Sequence, residues 1–244
     1  MPYVILSGLV TFALMAHCFK TGRERYWLYI LFIAPGLGAA AYIVIELLPD
    51  FFRSLTGRKI TRKVKASINP EGELKKRSQD FARSQSAAST HRLAEELMER
   101  KDYAEAEKLY SESRKGLFEF DPVLMQGQAT ALFKLERYDE TVEIMDKLIN
   151  EVPDYRSQDG HLLYARAHAE AGHRDKALEE FNVLVDYFSG PEARIRYAEF
   201  LVKEQDHDGA RRQCEQVLET AELSPRHYRK THKKWISRAK AMLK

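Results

Sequence analysis

The amino-acid sequence predicts an all-α protein: a transmembrane helical hairpin, then a solenoid of stacked helix pairs, then a basic helix that caps the last pair. Three observations carry that expectation. Small residues, with one threonine, recur in pairs twelve positions apart: Ala94/Ala106, Ala129/Thr141, Ala165/Ala177 and Ala198/Ala210. The pairs themselves follow one another at intervals of roughly 34 residues, and two small positions at fixed phase within such a period mark stacked helix-turn-helix units. Apolar residues are concentrated over positions 2–48, whereas the remainder is rich in Glu, Lys, Arg and Ala.

The first apolar run, 2–19, carries no charge, and the second, 26–48, carries none before Glu46. At about 1.5 Å per residue each run reaches across a hydrocarbon core of roughly 30 Å. A secretory signal lacks its basic start, because no Lys or Arg precedes Lys20. A lipoprotein signal fails because His17 stands before Cys18 where a small residue is required. The turn carries Lys20, Arg23 and Arg25, and the exit carries Arg53, Arg58, Lys59, Arg62, Lys63 and Lys65. The larger basic count at the exit predicts a two-pass cell (inner) membrane protein with both termini and the repeats in the cytoplasm. An inverted hairpin with the repeats outside is the alternative. Tyr26, Trp27 and Tyr29 open the second run as an interfacial anchor, and Pro35-Gly36-Leu37-Gly38 is expected to bend it.

Residues 49–87 form a basic juxtamembrane linker. Arg58, Lys59, Arg62 and Lys63 are placed to meet anionic headgroups, each worth about 1 kcal/mol near such a surface; the alternative is that they only set topology. Asn69-Pro70-Glu71 is a helix start, with a capping side chain, a proline in the first turn and an acid at the positive end. A helix over 70–83 and a Ser/Ala hinge over 84–90 follow.

Four repeats occupy 88–224, at about 88–120, 122–155, 158–190 and 191–223. Each holds two amphipathic helices, and the small residues fall where the two cross at close range. Residues 225–244 supply the capping helix. Tyr228, Trp235, Ile236, Ala239 and Leu243 can face the stack, and the opposite face carries Arg226, Arg229, Lys230, Lys233, Lys234, Arg238 and Lys240 without an acid.

In these lines the residues resemble tetratricopeptide repeats. The small residue of helix A is present, as is an aromatic or His before helix B (Tyr103, Tyr138, His207), with Arg174 as a departure; a large residue follows the helix B Ala (Tyr110, Met145, Phe181, Cys214). Thr141 for Ala and the absence of an early Trp make the copies degenerate. The resemblance implies an α-solenoid whose concave face is lined by helix A: His91, Glu95 and Met98; Gln126, Thr130 and Phe133; Leu162, Arg166 and Ala169; Ile195, Glu199 and Val202. The Lys and Asn with which some members clasp a terminal carboxylate are missing at matching positions. The implied partner is a helix or extended peptide of another protein, held by apolar anchors with polar flanks. Positions 1–48, through "KTGRERYW" and "LFIAPGLGAAAYIVIELLP", resemble the two-helix domain ahead of phospholipase D type enzymes such as cardiolipin synthases. Phospholipase chemistry is not implied, because His232-Lys233-Lys234 has Ala239 where that motif needs Asp.

Composition sets further bounds. Lys and Arg number 39 against 36 Asp and Glu, a net charge of +3 that does not by itself point to nucleic acid. Cys18 and Cys214 have no ligand partners at metal spacing, and His161, His168 and His173 share one repeat without the spacing of a zinc pair. Neither a Gly-rich phosphate loop nor a nucleophile elbow is present. The expectation is a non-enzyme without metal or cofactor: a membrane-anchored scaffold that recruits a partner protein. An accessory subunit acting through its transmembrane hairpin, and an RNA or lipid-surface adaptor using the basic last helix, are the alternatives.

Overall fold

The computed structural model describes residues 2–21, 24, 26–47 and 70–243, among which there is helix, turn and loop but no strand. The chain divides into two compact units, Met1–Glu73 and Leu74–Lys244.

The first unit holds α1 (Pro2–Thr21), α2 (Tyr26–Ile33) and α3 (Pro35–Tyr42), closed by a π-helical turn, Ile43–Leu47. The second apolar run is not one helix. Ala34 takes φ −131° and ψ 71°, outside the α region that a following proline disfavours, so the helix stops and restarts. The two pieces have eight residues each, which at 1.5 Å per residue is about 12 Å. Leu14, Cys18, Trp27, Leu31, Ala39 and Tyr42 form a small core between them and α1. Trp27 Nε1–H donates to Glu46 Oε1 at 3.1 Å, and His17 Nδ1 lies 3.1 Å from the Tyr42 hydroxyl.

Among the described residues no helix is long and apolar enough to cross a membrane. That corrects the expected hairpin over 2–19 and 26–48, and with it the two-pass inner-membrane placement with cytoplasmic termini. Hydropathy reads the second run as continuous, but the backbone break at Ala34 halves it. Arg58, Lys59, Arg62 and Lys63, expected at anionic lipid, lie outside the described residues, as do Arg23 and Arg25.

Helix α4 (Pro70–Arg83) leads into four antiparallel pairs: α5 (Ala87–Arg100) with α6 (Tyr103–Ser113), α7 (Pro122–Lys134) with α8 (Tyr138–Glu151), α9 (Gln158–Ala171) with α10 (Arg174–Tyr187), and α11 (Glu192–Lys203) with α12 (His207–Leu223). Side-chain caps set several starts. Ser86 and Ser89 form a reciprocal capping box on α5, Asp121 accepts from the Val123 and Leu124 amides at 3.0 Å, and Ser157 accepts from the Gly160 amide at 2.9 Å. Each first helix ends in one left-handed residue: Lys101 (φ 68°), Glu136 (φ 61°), Gly172 (φ 82°) and Gln205 (φ 63°). Their spacing repeats that of the small residues, so the A-to-B turn is one backbone conformation used four times. Only one of the four is glycine, although the conformation costs another residue about 1–2 kcal/mol.

Inside the pairs Ala94, Ala106, Ala129, Ala165, Ala177 and Ala198 are wholly buried, as is Thr141. The Thr141 hydroxyl donates to the Arg137 carbonyl at 2.9 Å, which lets a threonine fill an alanine position without an orphaned polar atom. The last pair is covered by α13 (Arg226–Thr231) and α14 (Lys233–Met242), two helices where one was expected over 225–244. The turn between them centres on His232, whose ring lies over Gly190: a Cβ there would come within 2.8 Å of the imidazole, and Gly190 has φ +98°. Ala239 is fully buried, and Trp235, Ile236, Met242 and Leu243 pack on the cluster around Phe181 and Phe200.

Gly127 of α7 faces the Tyr110 ring of α6, and an added Cβ would overlap Tyr110 Cζ. Gly127→Ala should therefore lower stability by about 1–2 kcal/mol, because overpacking a buried ring outweighs the helix-propensity gain of up to about 1 kcal/mol. Urea denaturation reads this directly; an unchanged or raised midpoint contradicts the close approach.

A candidate partner-binding groove

Helix A of each pair presents one row of side chains at i, i+4 and i+7, and the rows of successive pairs lie side by side. The N-terminal part is a pocket of about 290 Å³ lined by His91, Glu95, Met98 and Glu99 of α5, Tyr110 of α6, and Gln126, Gly127 and Thr130 of α7. His91 Nδ1 lies 2.9 Å from the Tyr110 hydroxyl, and its Nε2 lies 3.7 Å from Glu95. Burial pushes the Tyr110 phenol well above its ordinary range, with the Glu95 charge adding to the effect.

Phe133 forms the seam to the next pair. It is only 8% exposed, meets Tyr138 edge to face at 5.2 Å, and lies beneath the Arg166 guanidinium at 4.5 Å from the ring centroid. Arg166 makes no ion pair with any described residue. Burial, then the neighbouring Arg196, lowers its pKa, and the Glu192, Glu170 and Glu199 charges only partly oppose them.

The C-terminal part is a pocket of about 540 Å³. Arg166, Ala169 and Glu170 come from α9, Phe181 from α10, Arg196, Glu199, Phe200, Val202 and Lys203 from α11, and Arg238 and Met242 from α14. Arg196 Nη1 and Arg238 Nε both donate to Glu199, each at 3.0 Å, and Lys203 Nζ binds Glu170 at 2.7 Å. Arg196 stacks on Trp235 at 5.0 Å; its Nε is buried without a hydrogen bond, with the Glu192 carboxylate 3.8 Å away.

Of the residues expected to line the concave face, His91, Glu95, Met98, Gln126 and Thr130 meet around the first pocket, Phe133 is the seam, and Arg166, Ala169, Glu199 and Val202 line the second. Leu162 and Ile195 do not join them. They are 6% and 0% exposed and belong to the core around Phe181. The groove takes Arg196 in place of its neighbour Ile195, and an isoleucine flanked by Arg194 and Arg196 is itself a sign of a core position. Sequence reasoning also missed Glu170 and Lys203, each one step in helical phase from a named residue, and Arg238 and Met242, which come from the cap and carry no repeat signal.

A third pocket, of about 210 Å³, shares Gln126 and is walled by Met145, Tyr155, Tyr164 and Tyr187. Tyr155 donates to Gln126 Oε1 at 3.0 Å. His161 bridges the Tyr187 hydroxyl and Glu180, the latter at 2.7 Å, and Lys176 Nζ approaches Glu180 at 3.1 Å. The His161 hydrogen bond, followed by that from Lys176, holds the Glu180 carboxyl below its ordinary pKa.

No family model matches the chain, nor does the sequence of any curated protein. Solved structures do. TTC0263, a thermophilic TPR protein of Thermus thermophilus, superposes with a TM-score of 0.57 at 16% identity, over 76% of this chain and 96% of its own. The fold is that of tetratricopeptide-repeat (TPR) proteins. MamA of Desulfovibrio magneticus RS-1 gives 0.55 at 16%, covering 66% and 91%, and YrrB, a TPR protein with an unusual peptide-binding site, gives 0.50 at 17%, covering 64% and 81%. At such identities the TPR likeness fixes the fold alone. None of these comparisons shows the expected likeness of positions 1–48 to the phospholipase D type domain.

One buried group in the TPR unit titrates against folding. His168 packs edge-on to Tyr164 at 4.4 Å, its Nδ1 lies 3.1 Å from His173 Nδ1, and its Nε2 is buried without a partner. Burial, then the nearby His173, lowers its pKa, and Asp146 and Glu180 only partly oppose them. The unfolded chain therefore takes up a proton more readily than the folded one. Its contribution is complete above the ordinary value of 6.5 and is lost as pH falls below that toward the native pKa. The urea midpoint should drop between pH 7.5 and 5.5, and His168→Gln should flatten that drop; an equal drop in both proteins contradicts the assignment.

Proposed function

We propose that this chain is a binding protein, not an enzyme: a TPR scaffold that holds a segment of a partner protein along the concave face formed by α5, α7, α9 and α11. Support comes from the Phe133–Arg166 contact, which joins the rows of two repeats into one groove and keeps a cation there without a carboxylate of its own. The floor alternates apolar patches (Met98, Phe133, Ala169, Val202) with polar and charged groups, the pattern by which grooves select helical or extended peptides. YrrB, described as having a peptide-binding site, lends the same reading to a similar fold.

The test is affinity capture from an extract of the source organism on the immobilised full-length chain, with Thr130→Arg and Ala169→Arg in the two groove pockets and Glu143→Ala on exposed α8 as control. The groove variants should lose retained proteins by about tenfold, equivalent to about 1.4 kcal/mol, while the control retains them. Equal retention by all four proteins contradicts a groove-based function.

A further inference from the structure

We propose that the C-terminal end of the groove recognises an acidic side chain inside the partner segment, set beside an apolar one, and so fixes the direction in which that segment runs. The proposal rests on the groove reading above and adds the chemistry of its occupant. Arg166, Arg196, Lys203 and Arg238 converge on one pocket from three helices, against two carboxylates, Glu170 and Glu199. The carboxylates are already used: Glu199 by two arginines and Glu170 by Lys203. Arg166 lies on an aromatic face and makes no ion pair with a described residue, although the Glu192, Glu170 and Glu199 charges act on it at longer range, and Arg196 keeps a buried Nε–H without a hydrogen bond, the Glu192 carboxylate lying 3.8 Å away. A guanidinium in such surroundings gains most from an incoming carboxylate, which forms charge-assisted hydrogen bonds where water is scarce.

The apolar wall of Ala169, Phe181, Phe200, Val202 and Met242 borders the same 540 Å³ space, so the acid should arrive with a hydrophobic neighbour. The other end of the groove has the opposite sign. Glu95 and Glu99 line it, and His91 is its only basic side chain among the described residues. A segment with its acid toward the cap is thus favoured, and the reverse threading sets like charges against each other. The floor continues past Phe133 toward Thr130, so the segment runs through the pocket. An internal Asp or Glu is the occupant, not a chain end.

A phage-displayed library of random twelve-residue peptides, flanked on both sides by carrier sequence, tests this against the full-length protein. Selected peptides should carry Asp or Glu beside Leu, Ile, Met or Phe, and replacing the acid by its amide should weaken binding about tenfold. Arg166→Gln and Arg238→Gln should each abolish the preference for the acid, read as the ratio of the affinities for the acid and amide forms of one peptide. Selected peptides without acids, or an acid preference that survives in both variants, overturn the proposal and leave the groove reading standing. Selection only from a parallel library with free C-termini also overturns it, in favour of a terminal carboxylate. Failure to select any peptide in either format sinks both.

Discussion

The architecture depends on how near two helices can come. At Ala94/Ala106, Ala129/Thr141, Ala165/Ala177 and Ala198/Ala210 no side chain larger than threonine separates the helices of a pair, and all eight positions are buried. Close crossing lets large residues one turn away, such as Tyr110, Met145, Phe181 and Cys214, fill the space between pairs instead of within them. Because a single pair cannot bury that face, the pairs must stack. The groove is the by-product: the A rows of successive pairs lie side by side, and Tyr110 of α6 and Phe181 of α10 reach into it from the B helices.

Electrostatics then divides the groove into unlike ends. The carboxylates of Glu95 and Glu99 dominate near α5, and a cluster of arginines dominates near α14. The cap is therefore more than a lid on the last hydrophobic layer. It buries Ala239 against the core and at the same time brings Arg238 and Met242 to the wall of the C-terminal pocket. His232 over Gly190 places the bend that allows both, since a continuous helix over 225–244 has no turn there.

The period, the helix pairs and half the groove were legible because they follow from steric rules with a fixed spacing. Small residues mark crossings, and helical phase then points outward from them to His91, Glu95, Thr130 and Arg166. What failed to show were features set by tertiary neighbours. Ile195 has the right phase for the groove but is covered in the fold, Arg238 reaches the site from outside the repeat, and Arg196 becomes important only through what surrounds its Nε. The N-terminal error has a different origin. Apolar content is a sum over a window, and it is blind to the backbone break that Ala34 makes before Pro35. Trp27 reads in the sequence as part of an interfacial anchor, whereas its indole N–H bonds to Glu46 across the small unit.

The claim that successive A helices form one continuous floor is tested most directly where two repeats touch, by nuclear magnetic resonance of the full-length chain with selectively labelled arginine and phenylalanine. The account predicts cross-relaxation between the Phe133 ring and the Arg166 side chain, with the Arg166 resonances shifted upfield by the ring. Arg166 signals at free-arginine positions, without contact to any aromatic proton, would contradict it.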